Sequence, residues 1–198
     1  MARTIAKDHD QKRAQILSAS ARLFAEEGYD RASMTQIARA CGISKANIYH
    51  YYEGKDALLF DLLDNYLSGL RDRVCGLDLG GLDPVARLRC ILTEVLLAYE
   101  GADHEHKVQL NAMSALPEAQ QEHLRAYQRE MVKCMSTAIR DAAPDTLGSD
   151  KGKLRAVTMS VFGMLNWHYM WNAGADTEDR KGYADLVARL TLEGVAGL

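Results

Sequence analysis

The chain has 198 residues, of which 47% are hydrophobic and 26% charged, and its net charge is −3. That length can bury a sizeable core as one large unit or two small ones, and the charge carries no global basic signature. With only three prolines and few β-branched runs, the chain reads as all-α, about nine helices in all.

Residues 1–10 are polar, with Arg3, Lys7 and Asp8, and read as a loose arm. A first helix is expected from about Asp10 to Glu27, with Ile16, Leu17, Ser20, Leu23 and Phe24 as its apolar stripe. Gly28 suits the residue just past the helix, and Tyr29 beyond it can touch Phe24. Ser33 followed by Gln36 has the spacing of a capping box, in which each side chain satisfies a free backbone N–H. A short helix follows, with Ile37 and Ala38 facing a core, and Cys41-Gly42 ends it in a turn that Ile43 plugs. Ser44 is a second N-cap, opening a helix through Lys45, Ala46, Asn47, Ile48, Tyr49 and His50. Two short helices and a tight turn form a helix-turn-helix pattern, whose second helix is the recognition element.

That second helix has a single aliphatic anchor, Ile48, surrounded by Lys45, Asn47, Tyr49, His50, Tyr51 and Tyr52. Lysine and tyrosine reach phosphates, and asparagine and histidine reach base edges in the major groove. The plainer reading is a half-buried helix end with tyrosines at a domain seam.

Gly54 and Lys55 open a long helix through Leu59, Leu63, Tyr66, Leu70 and Val74. Lys55 lies beside the free N–H groups of that helix start, a ready phosphate site. The glycine-rich stretch 76–81 is the expected hinge. Asp83-Pro84 then starts a helix bearing Leu88, Ile91, Leu92, Val95 and Tyr99. Residues 101–107 read as a polar loop and 106–114 as a short helix. A helix after Pro117 presents Leu124, Tyr127, Met131, Cys134, Met135 and Ala138, and 142–148 break it. The helix from about Asp150 is apolar almost all round from Leu154 to Trp171, which predicts burial on more than one side. Gly163 in its middle costs about 1 kcal/mol relative to alanine and suggests a close helix crossing. The last helix, from about Asp176, shows Tyr183, Leu186, Val187 and Leu190.

Residues 1–56 carry nine Lys/Arg against seven Asp/Glu, and the rest carries fifteen against twenty, a mildly basic head on an acidic body. The four cysteines, Cys41, Cys75, Cys90 and Cys134, form no C-x-x-C pair and are expected as reduced, buried thiols in a cytosolic protein. No run is apolar enough for a signal peptide or a membrane span of about 18 residues. His104-Glu105-His106 reads as a solvated loop, so no metal is expected. No cofactor is expected either, and no G-x-S-x-G, P-loop or G-x-G-x-x-G occurs, so an enzyme is not expected. The alternative is a helical small-molecule binding protein or enzyme that keeps the head only as scaffold.

Three blocks together resemble the DNA-binding domain of the TetR family of bacterial transcriptional regulators. They are Leu23-Phe24-Ala25-Glu26-Glu27-Gly28-Tyr29, the Ser33…Ile37-Ala38…Gly42-Ile43-Ser44 set, and Asn47-Ile48-Tyr49-His50-Tyr51-Tyr52-Glu53-Gly54-Lys55…Leu58-Leu59. The resemblance covers residues 12–63. It implies a three-helix DNA-binding domain over 1–55, and a helical bundle over 56–198 that binds a small effector and dimerises. Carried over by position, Ser33, Thr35 and Lys55 meet phosphates, and Ser44, Lys45, Asn47, Tyr49, His50 and Tyr51 lie in or beside the major groove. Position 46 is alanine where the family often has glycine, and position 54 is glycine where a capping serine or threonine is common. The implied partners are an inverted-repeat DNA operator, a second copy of the chain and a small molecule. The implied activity is that of a ligand-released repressor. In the body, Met113, Tyr127, Met131, Trp167, His168 and Trp171 are the expected ligand-binding set, and Gly163, Tyr183, Leu186 and Leu190 the expected dimer face. The Asn166-Trp167 step is similar to the branch that responds to CoA thioesters, with Arg71, Arg73, Arg87 and Arg89 able to meet the CoA phosphates.

Overall fold

The computed structural model describes residues 2–172 and 174–194, with side chains described from His9 onward. Ten α-helices occur among the described residues, against the nine expected. They are α1 (Ala2–Glu27), α2 (Met34–Ala40), α3 (Lys45–Tyr51), α4 (Lys55–Cys75), α5 (Pro84–Ala98), α6 (Asp103–Ala112), α7 (Glu118–Ala142), α8 (Pro144–Leu147), α9 (Lys151–Trp171) and α10 (Thr177–Glu193). The extra one is α8, a single turn started by Pro144 inside the stretch expected as a break. The chain forms two compact units, Met1–Leu67 with Asp103–Arg125, and Ser68–Ala102 with Ala126–Leu198. Helices α4 and α7 each run from one unit into the other along the chain.

Local chemistry sets most helix ends. The Ser33 hydroxyl oxygen accepts from the Gln36 amide at 3.3 Å, and the Gln36 side chain accepts from the Ser33 amide at 2.9 Å, completing the capping box. Ser44 caps α3 through the Asn47 amide at 3.1 Å. Asp83, Asp150 and Asp176 cap α5, α9 and α10 in the same way. Gly28 sits at φ +89° after α1, and the Phe24 and Tyr29 rings meet edge to face at 5.2 Å across that ending. Gly42, at φ +64°, makes the turn between α2 and α3.

Three local expectations are corrected. The cysteines are not all buried: Cys41 is, but Cys75 and Cys90, at surface-facing positions of α4 and α5, are exposed and Cys134 is half-buried. The arm is not loose, because α1 begins at Ala2. Residues 2–27 hold no proline or glycine to stop a helix, and alanine, arginine, lysine and glutamine favour one. The side chains of Arg3, Lys7 and Asp8 lie outside the described residues. The trio His104-Glu105-His106 is helical rather than looped, since Asp103 already opens α6. His106 is buried, with its Nδ1 3.1 Å from the Tyr66 hydroxyl.

The first unit closes around Ile16, Phe24, Ile37, Ile48, Leu59 and Leu63, all buried, with Val108, Leu116 and Leu124 added from α6 and the start of α7. In the second unit, α5 and α10 lie against each other, and Ala184 and Ala188 are fully buried between them. Arg180 is buried there too, donating from Nε to the Ala175 carbonyl at 3.1 Å and from Nη1 to the Leu96 carbonyl at 3.2 Å. A cation on the last carbonyls of α5 matches that helix's negative end. Tyr99 is buried, donates to Asn166 Oδ1 at 2.7 Å, and has its hydroxyl pKa raised by burial.

Helix α9 departs from the all-round burial expected of it. Thr158, Val161, Leu165 and His168 are buried, whereas Met159, Trp167, Met170 and Trp171 stand exposed. A Cβ built on Gly163 would meet nothing within 4 Å, so the expected close crossing does not occur within the chain.

Candidate nucleic-acid interface

Helices α1, α2 and α3 build the helix-turn-helix, and one residue, Ile48, is the buried anchor of α3. With the helix pinned on that side, its other positions face outward. Lys45, Asn47, Tyr49 and His50 are all exposed, Tyr49 at 45%. None of these four side chains has a hydrogen-bonding or ionic partner among the described residues. Such a row of donors and acceptors, held on a rigid helix and left unpaired, can reach phosphates and base edges without breaking an internal bond.

The flanking residues hold the helix at its angle. Tyr52, the C-cap of α3, is buried and donates its hydroxyl to Asp61 Oδ2 at 2.5 Å. Arg13 on α1 grips the same carboxylate with two donors, Nε at 3.0 Å and Nη2 on the other oxygen. One carboxylate on α4 therefore ties α1 to the end of α3. Burial and the bond to Asp61 raise the Tyr52 pKa, and Asp61 raises that of Arg13. Nothing in the spacing of Arg13, Tyr52 and Asp61 announced this triad, because its members are 48 and 9 residues apart and only the packed helices bring them together.

Of the expected phosphate contacts, Thr35 is exposed, and Ser33 and Ser44 are exposed at the first turns of α2 and α3. Arg39, which the sequence reading passed over, is also exposed, in the last turn of α2. Tyr51 is half-buried and stacks on His9 of α1 with ring centroids 4.9 Å apart. Lys55 is differently placed. Its ammonium donates to the carbonyls of Tyr29, Asp30 and Ala32 at 2.7, 3.2 and 3.2 Å and lies over the Tyr29 ring at 4.3 Å. An ammonium has three donors, so in this structure Lys55 fastens α4 to the turn before α2. Tyr29 in turn donates to Asp56, and burial and that bond raise its pKa.

In the second unit a cavity of about 550 Å³ is lined by Leu79, Pro84, Arg87, Ile91 and Lys133, among others. None of Met113, Tyr127, Met131, Trp167, His168 and Trp171 lines it. Met113 belongs to the first unit and the other five to the second. Tyr127 lies under the Arg71 guanidinium at 4.9 Å, and Met131 is buried. His168 is buried and stacks on Tyr183 at 4.6 Å, with Trp171 edge-on to both. Leu186 and Leu190 are half-buried. Of the four arginines expected near a CoA phosphate, Arg71 is paired with Glu130, Arg73 with Glu94 and Arg89 with Asp185. Only Arg87 of the four borders the cavity, its Nε donating to the Leu82 carbonyl at 2.8 Å.

Residues 16–62 match the bacterial regulatory proteins of the tetR family, and residues 81–195 match the tetracyclin repressor-like C-terminal domain. The chain belongs to the TetR family. The two matches cover the helix-turn-helix and most of the helical remainder of the chain. A TetR-family transcriptional regulator from Bordetella parapertussis is 33% identical, with 94% of this chain and 96% of that one superposed at a TM-score of 0.87. AibR, solved in complex with isovaleryl coenzyme A and operator DNA, is 26% identical over 91% of this chain and 98% of its own, at a TM-score of 0.76. The transcriptional repressor KstR2 of Rhodococcus jostii is 30% identical over 95 residues, 48% of this chain and 45% of its own. The match thus spans less than half the length of that curated relative. No helix among the described residues is long and apolar enough to cross a membrane.

Proposed function

We propose that this TetR-family chain is a cytoplasmic, homodimeric transcriptional repressor, without enzymatic activity, that releases an inverted-repeat operator when a small effector binds. Residues 1–55 act as the DNA-binding domain and 56–198 as the effector-binding and dimerisation domain. The observation that carries this reading is the outer face of α3, where Lys45, Asn47, Tyr49 and His50 are exposed around one buried anchor, Ile48. Lys45 and Tyr49 meet phosphates, together with Ser33, Thr35 and Ser44 at the helix starts. Asn47 and His50 read bases. Tyr51, backed by His9, borders the groove. Lys55 serves DNA indirectly, by fixing the start of α4.

Two half-sites about 34 Å apart require two heads related by a two-fold axis. The exposed face of α9 supplies the seam, with Gly163 letting two helices approach and Trp167 and Met170 covering each other across the axis. Tyr183, Leu186 and Leu190 on α10 border it. The effector is of the CoA-thioester class, by likeness to AibR, whose complex contains isovaleryl coenzyme A. A cavity of about 550 Å³ lies in the range of small-molecule sites, and Arg87 and Lys133 offer cations at its edge. Effector binding shifts the population toward a spacing of the heads that no longer fits both half-sites.

The test is to capture fragments of the source genome on the purified protein and sequence what is retained. The expected outcome is a few fragments sharing an inverted repeat, released by one member of an acyl-CoA panel. Uniform retention across sequence overturns the repressor. Specific retention that no acyl-CoA disturbs, and no acyl-CoA shift in melting temperature, removes the effector class alone.

A further inference from the structure

Cys75 is the last residue of α4, and Cys134 lies in the second half of α7. Within the second unit these helices run in register. Arg71, one turn before Cys75, packs over the Tyr127 ring at 4.9 Å and bonds Glu130 at 2.7 Å. One turn further along each helix come Cys75 and Cys134, which stand in the wall of one cavity with each thiol close enough to act on the other. Both line the 550 Å³ cavity, with Cys75 exposed and Cys134 partly so. The two other cysteines are separate from this pair: Cys41 is buried in the first unit, and Cys90 is exposed on α5 and does not line the cavity.

Several chemistries of a thiol pair are disfavoured. Zinc takes three or four ligands, and no group of three or more metal-ligating side chains is assembled among the described residues. Partial desolvation of its sulfur, and then the neighbouring Cys134, push the Cys75 thiol up to about 12. Its thiolate is scarce at neutral pH, and peroxide oxidation and disulfide exchange both run through the thiolate. A ligand that takes both sulfurs at once and removes both protons as water fits the pair better.

We propose that Cys75 and Cys134 form a two-thiol capture site for trivalent arsenicals, whose organic substituent lies in the cavity against Leu79, Pro84 and Ile91. With an arsine oxide, the As=O bond and two S–H bonds break and two As–S bonds form. The oxygen leaves as water with both thiol protons. Arsenic stays trivalent and sulfur is not oxidised, so the step needs no other reactant. The site stands independently of the DNA-binding reading, and its test uses the protein without DNA.

The full-length protein is treated with one equivalent of phenylarsine oxide in excess β-mercaptoethanol and followed by intact mass and native thiol titration. Wild type is expected to keep one adduct per chain and lose two titratable thiols. A competing dithiol, 2,3-dimercaptopropanol, is expected to strip the adduct. Cys90→Ser should behave like wild type. Cys75→Ser and Cys134→Ser should release the adduct to monothiol roughly a hundredfold faster, since the second sulfur no longer recaptures it. Proteolysis of the wild-type adduct should yield the Cys75 and Cys134 peptides joined through arsenic, a readout that needs no variant to fold. Loss of the adduct from wild type, its persistence in Cys134→Ser, or any other peptide pair overturns the site.

Discussion

Helices α3 and α9 each leave one face uncovered, and the two faces have opposite chemistry. On α3 the open face is Lys45, Asn47, Tyr49 and His50. On α9 it is Met159, Trp167, Met170 and Trp171, with both tryptophans more than half exposed at 58% and 57%. A polar face loses nothing in water and gains only when a charged, patterned surface arrives. An apolar face of that size is unfavourable in water, at about 25 cal/mol for each Å² left exposed, and calls for a permanent cover. Under the proposed function, the difference separates a reversible contact from a standing one, with α3 meeting DNA and α9 a second copy of the chain.

The largest expected effect removes what holds the polar face in place. Ile48→Ala leaves α3 without its anchor and should cost about 2–5 kcal/mol, read as an early melting transition and lost DNA binding with the dimer intact. Trp167→Lys attacks the other face. A buried aromatic at an interface is worth about 2 kcal/mol or more, and the two-fold axis counts it twice. Analytical ultracentrifugation should then show monomer at concentrations where wild type is dimeric. A variant that remains fully dimeric would move the seam off α9.

Within the polar face, the prediction is a split between residues. Asn47→Ala and His50→Ala should each relax preference at particular base pairs by about 1–3 kcal/mol. Lys45→Ala should weaken all sequences alike and lower the salt slope by about one. Equal behaviour of the two classes would remove the distinction. Lys55→Ala belongs with neither. It loses three carbonyl bonds inside the first unit, so it should lower stability by about 1–3 kcal/mol while leaving the salt slope unchanged. A lowered slope would show that Lys55 turns to phosphate when DNA is present.

The smallest effect is with pH. Tyr29, Tyr52 and Tyr99 all have hydroxyls raised above their ordinary value, chiefly by burial. The unfolded chain therefore ionises first, and stability should be complete below about pH 10 and decline above it. Tyr52→Phe should make that alkaline decline shallower in a series of thermal melts.

Much of this protein was legible in its sequence because helix ends are local. Ser33 with Gln36, Ser44, Asp83 and Asp176 act on amides within three residues, so spacing alone announces them. Gly28 and Gly42 likewise mark turns through their own backbone freedom. The three short blocks around the helix-turn-helix carried the family resemblance, and with it the fold. What depends on which faces meet across the chain was not legible. Periodicity marked α9 as apolar, yet only packing decided that Val161 and Leu165 are covered while Trp167 and Trp171 are not. Composition placed Lys55 beside a helix start, but three carbonyls from the preceding turn took its donors. Arg13, Tyr52 and Asp61, like Cys75 and Cys134, are unremarkable letters far apart in the chain. Their pairing exists only once helices from distant parts of the sequence lie side by side, because hydrogen bonds and burial are set by distances in space.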